Sequence, residues 1–133
     1  MPKFLLLTRY DPSLALPPME EWDPAEITAH LDHLRALNRE LSESGELIEV
    51  NILAAPELAR TVTAGASNTT VVTDGPFPES KEMLAGYQLI DVESEARAVE
   101  IAALVSAAPG PGGVPIGQHI EVRQVMAIGG PDL

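Results

Sequence analysis

The sequence predicts an α+β domain in which two helices lie as one layer on a single sheet. Three observations carry that prediction. Two stretches with apolar residues at helical spacing are each preceded by a capping residue. Short runs that are β-branched or apolar on both faces alternate with them. The 133 residues amount to about one domain, a length that should bury a little under ~70% of the unfolded surface around one core.

The first strand is expected over residues 2–10. Phe4, Leu6 and Thr8 share one face and Leu5 and Leu7 the other, so both faces look covered. Residues 11–22 are acidic and proline-rich, with Pro17-Pro18, and read as a loop. A helix follows over 24–44. Asp23 is a natural N-cap, Pro24 suits the first helical position and Glu26 completes a capping box, a device worth ~1 kcal/mol. Ile27, Leu31, Leu34, Leu37 and Leu41 form its apolar stripe, and Gly45 is placed to end it.

A second strand is expected over 47–53, with Pro56 breaking it. Residues 59–64 and 68–73 read as a hairpin turning at Gly65-Ala66-Ser67, on the strength of Thr61, Val62, Thr63 and Thr69 to Thr73. Asp74-Gly75-Pro76-Phe77-Pro78 reads as irregular, because two prolines and a glycine oppose ladder pairing. A strand over 84–92 is again apolar on both faces. Ser94 caps a second helix reaching about Ala107, with Ala98, Ile101, Leu104 and Val105 inward. After a Pro/Gly loop over 109–117, the last strand runs over 120–126, and the tail beyond Ile128 should fray.

The resulting order, β-α-β, a small hairpin, then β-α-β, is a ferredoxin-like plan with an extra hairpin and a mixed sheet. One layer of helices leaves the other sheet face uncovered, although the strands are apolar on both sides. A second copy packing there resolves the conflict, so a homodimer burying at least ~1,200 Å² in total is expected.

Composition narrows the function. With one Trp, two Tyr and two Phe, the core must be aliphatic. The absence of cysteine excludes disulfides, thiol nucleophiles, zinc ribbons and iron–sulfur clusters. Phe4-Leu5-Leu6-Leu7 is too short for a signal peptide or a membrane span, which makes the cytoplasm the expected compartment. Eight basic against twenty acidic residues give a net charge of −12 and no basic cluster, which argues against nucleic acid and against anionic membrane surfaces. No phosphate loop, dinucleotide fingerprint or serine-nucleophile motif occurs, and no cofactor is expected.

The run Val72-Thr73-Asp74-Gly75-Pro76-Phe77-Pro78-Glu79-Ser80-Lys81-Glu82 resembles the signature of the YCII-related family, in the branch named after its Asp-Gly-Pro-Phe motif. Gly86-Tyr87-Gln88-Leu89-Ile90-Asp91-Val92, Asn38-Arg39-Glu40-Leu41 with Gly45, and Ile120-Glu121-Val122-Arg123 resemble its other blocks, in order, over most of a single domain spanning 1–133. The resemblance implies a ferredoxin-like subunit that pairs through its sheet into a dimeric α+β barrel. Proteins of that branch are similar to ones encoded beside or fused to extracytoplasmic-function sigma factors, which implies a regulatory setting. More distant relatives include a dehydrochlorinase and muconolactone isomerase-like enzymes that do acid–base chemistry without metal. Two positions depart from the pattern: Gln124 follows Arg123 where the family has proline, and Leu37 stands where it has an aromatic.

His30 lies within the apolar stripe of the first helix and His33 at its edge. An imidazole there is a general base, given a free pKa of ~6.5, or a structural group that has found a partner. The resemblance implies an acid–base role near His33, because relatives carry a helical histidine there that works with an acid. Three-residue spacing also suits two metal ligands, but no further ligand is fixed beside them and no metal site is expected. Asp74 either bonds the backbone of its own turn or lines a cleft as acid or orienter of a histidine. Glu79 and Lys81 are loop charges that are either solvated or close over a small-molecule ligand. Tyr87 is core packing or a pocket wall, beside Gly86, whose missing side chain admits a ligand or another backbone. Asn38, mid-stripe, is either hydrogen-bonded to hold the helix or aimed into a pocket. Glu121 and Arg123 share a strand face as an interface pair, and Trp22 plugs an apolar gap or caps a cleft.

Two functions follow: a homodimeric module binding a small molecule or partner protein, and a cofactor-independent isomerase or lyase with His33 as base and Asp74 or another acid assisting.

Overall fold

The structure, a computed structural model, describes residues 1–11, 14, 16–75 and 83–126. Glu79 and Lys81 of the loop, and the tail beyond Ile128, lie outside the described residues.

Strand β1 (Lys3–Tyr10) leads to helix α1 (Pro24–Glu43), and β2 (Leu47–Ile52) follows. The start of α1 is fixed locally. The Asp23 backbone N–H donates to Glu26 Oε1 at 3.2 Å, so a terminal donor is satisfied by the capping residue expected for it. Its end is a Schellman turn around Gly45, whose φ is +81°. Glu46 N donates to Leu41 O at 2.9 Å, and Gly45 N to Ser42 O at 3.2 Å. Strands β3 (Arg60–Ala64) and β4 (Thr70–Asp74) form the hairpin, then come β5 (Met83–Asp91), α2 (Glu95–Ser106) and β6 (Ile120–Gln124). Ser94 Oγ accepts from Arg97 N at 3.2 Å and so caps α2.

The main sheet has the order β2-β5-β1-β6, and every neighbouring pair is antiparallel. The expected mixed sheet is thus corrected to an antiparallel one. Each β-α-β unit is split: β5 lies between the parallel strands β1 and β2, and β1 lies between β5 and β6. The hairpin is a separate two-stranded sheet, registered Val62↔Val72 and Thr61↔Thr73. Its second strand runs on to Asp74, so the irregular stretch begins one residue later than expected.

Both helices cover one face. Phe4 and Leu6 of β1 and Ile90 of β5 pack against Leu37 and Leu41 of α1 and Ala98, Ile101 and Val105 of α2. One phenylalanine among aliphatic groups makes this core, in keeping with the scarcity of aromatics. Leu104 is a correction. It is exposed, and Ala102 takes its place in the core. Positions 98, 101, 102 and 105 form one helical stripe, whereas 104 lies well around the helix from it.

Gly86 allows close strand approach. A Cβ there would sit 2.8 Å from Asn51 O of β2, so the missing side chain admits another backbone.

Candidate functional site on the uncovered sheet face

Alternation along each strand sends Leu5, Leu7, Tyr87 and Leu89 to the face away from the helices. Register then sets residues in rows across all four strands. One row reads Asn51–Tyr87–Leu7–Glu121 and the next Glu49–Leu89–Leu5–Arg123. Lys3 and Asp91 form a shorter third row. Within these rows the apolar side chains are central: Leu5, Leu7 and Leu89 are half-buried, and polar groups flank them.

Polar pairs frame the three leucines. Tyr87 Oη accepts from Asn51 Nδ2 at 2.9 Å, and the same amide donates to Glu49 Oε1 at 3.1 Å. On the opposite edge Arg9 Nη2 meets Glu121 Oε1 at 2.9 Å, and Arg123 Nε lies 3.4 Å from Glu121 Oε2. Lys3, Arg9 and Arg123 balance Glu49, Asp91 and Glu121, three charges against three, in a chain of net charge −12. Among the described residues these side-chain charges cancel, and the Met1 ammonium also lies 3.8 Å from Asp91 Oδ1.

The residues singled out from sequence are dispersed. His33 Nε2 donates to Leu104 O of α2 at 2.7 Å, which ties the two helices together. A carbonyl only accepts, so the proton is on Nε2. His30 is buried, donates from Nδ1 to Pro109 O at 3.0 Å, and meets the Trp22 ring edge-on with centroids 5.5 Å apart. Trp22 is itself buried and donates from Nε1 to Pro17 O at 2.9 Å, filling the gap beneath the loop. Asp74 is 82% exposed and paired with Arg60 across the hairpin. His33 and Asp74 are therefore held by different partners, one between the helices and one on the hairpin. Among the described residues no group of three or more acidic or histidine side chains is placed to hold a metal ion.

Asn38 faces the sheet from α1. Its Oδ1 accepts from Gln88 Nε2 of β5 at 2.7 Å. Of the residues singled out, Tyr87, Glu121 and Arg123 lie on the uncovered face. Arg9 and Asn51 were missed there: each is polar in a strand and gains its meaning only from the register that sets it beside Glu121 or Tyr87.

A family profile, the YCII-related domain, matches residues 3–126. The chain is also 37% identical over 81 residues to an uncharacterized protein of Rhizobium meliloti, a stretch covering 61% of this chain and 64% of that protein. Less than two thirds of that relative's length is therefore spanned.

Proposed function

Because the chain belongs to the YCII-related family, we propose that it is a homodimeric binding module in which two copies share the uncovered face of the four-stranded sheet. The observation that carries this reading is the charge balance of that face around Leu5, Leu7 and Leu89. Two chains of net charge −12 repel one another, so they associate most easily through a surface that contributes none of that charge. Central apolar groups with a polar rim are also the ordinary anatomy of an interface.

The polar rim supplies the binding chemistry. Tyr87 and Asn51 offer a hydroxyl and an amide at one edge, and the Arg9–Glu121–Arg123 group offers spare guanidinium donors at the other. A small polar molecule with both hydrogen-bonding and anionic groups suits that set. The regulatory setting, including association with a sigma factor, follows from the Asp-Gly-Pro-Phe branch resemblance and makes such proteins the first macromolecular partners to screen. The acid–base alternative has less support, since His33 and Asp74 are each committed to other groups.

Thermal unfolding at increasing protein concentration tests the dimer. Mass action raises the melting temperature of a dimer with concentration. A melting temperature unchanged over a hundredfold range above micromolar refutes it.

A further inference from the structure

Among the described elements the β3–β4 hairpin is the least covered. Of its ten strand residues, only Thr61 is even half-buried. Val62 and Val72, directly opposed on one ribbon face, are 62% and 53% exposed, and Val71 on the other face is also exposed. Ile52, at the end of edge strand β2, is 86% exposed, and Leu58 lies open just before the ribbon. A two-stranded ribbon alone in water is marginally stable at best. Uncharged, β-branched strands with open edges are moreover a template for aggregation unless something covers them.

Charge identifies what covers this one. Between Arg60 and Asp74 there is not one charged residue, in a chain that carries twenty acidic and eight basic ones. Arg60 and Asp74 pair with each other at the ribbon's base. Among the described residues, the side chains of the ribbon and those in the rows of the uncovered face thus each sum to no net charge, in a strongly anionic molecule. The ribbon is also inserted between β2 and β5, so it leaves the sheet at the end where Asn51 and Tyr87 form their row.

Area points the same way. Four strands ~4.8 Å apart and about five residues long present roughly 300 Å² of flat footprint per copy. Doubled for side-chain relief, that is about 600 Å² per copy, the lower edge of what a stable interface buries.

We infer that the β3–β4 ribbon is an arm that clasps the second copy of this chain, with Val62 and Val72 seated on the partner. This rests on the dimer proposed above and extends it: the two arms, exchanged about the two-fold axis, supply the area that the sheet faces lack.

Hydrogen–deuterium exchange on the intact chain tests the arm. Amides of residues 60–74 are compared in the dimer and in protein diluted until it is monomeric. The expected result is protection of the ribbon in the dimer and at least tenfold faster exchange in the monomer. Equal exchange in both states, fast or slow, overturns the arm while leaving the dimer standing. Fast exchange in the dimer leaves the ribbon to a different partner. A chain that is monomeric at every concentration defeats the dimer itself, and the arm with it. As a second measurement, the V62E/V72E double variant changes two exposed residues and should weaken dimerisation at least tenfold with helix content unchanged. An unaltered dissociation constant contradicts the clasp.

Discussion

Gln88 of β5 donates its side-chain amide to Asn38 of α1 at 2.7 Å, across the boundary between sheet and helix layer. Gln88 is only 5% exposed, so this bond is what makes its burial tolerable. Asn38→Ala should therefore cost about 1–3 kcal/mol, the penalty for an orphaned buried amide. Replacing both residues by leucine should recover much of the loss. Urea unfolding of the two single variants and the double variant measures the coupling directly.

A second tie joins the start of β2 to α2. Arg97 Nε and Nη2 grip Glu46 Oε2 and Oε1 at 2.9 and 3.0 Å. The Arg97 hydrogen bonds, chiefly, hold the Glu46 carboxyl below its ordinary pKa of 4.5, against the opposing effect of burial. A carboxyl depressed on folding stabilises the protein above its unfolded pKa, and that contribution is lost as pH falls through the folded value. Glu46→Gln should thus lower stability at neutral pH by about 1 kcal/mol or a little more. The difference from wild type should close as the pH falls below 4.5 and through the depressed folded value. Denaturation at pH 7 and pH 3 checks it, and a pH-independent difference contradicts the ion-pair account.

Gly86 faces the Asn51 carbonyl so closely that an added Cβ would lie 2.8 Å from it. Gly86→Ala must push β2 away from β5, at a cost of about 1–3 kcal/mol. The chemical-denaturation midpoint should fall accordingly, and an unchanged midpoint would show that β2 moves freely.

His33 ties α1 to α2 through a single bond to the Leu104 carbonyl. His33→Ala should lose about 1 kcal/mol. His33→Gln, which retains a donor, should recover part of it. Equal loss in both variants would count against a tethering role.

Features fixed by neighbours in the chain were legible beforehand. Asp23, Pro24 and Glu26 set the start of α1, Gly45 its end and Ser94 the start of α2, because a cap acts within a few residues. Gly86 announced a close approach for the same kind of reason: it lacks an atom. The uncovered face was legible as an excess of leucine and, on its last strand, as the Glu121–Arg123 pair. Arg9 and Glu121 are 112 positions apart, and nothing local connects them until β6 docks beside β1 in one register. Leu104 was misplaced because three neighbouring aliphatics made more than one stripe plausible, and only packing against the sheet selects among them. Asp74 drew attention as the head of a motif, yet its carboxylate is taken by Arg60, a partner identified only by hairpin pairing.

Sedimentation of the wild type beside Leu7→Arg bears most directly on two copies meeting through the sheet. Leu7 lies between Tyr87 and Glu121 at the centre of the proposed contact, where a bulky guanidinium would have to be stripped of water against a second copy carrying the same change. At micromolar concentration the wild type should sediment at twice the 14.1 kDa chain mass, and the variant at 14.1 kDa with its helix content intact. A wild type that stays at 14.1 kDa, folded and well behaved, would contradict the account.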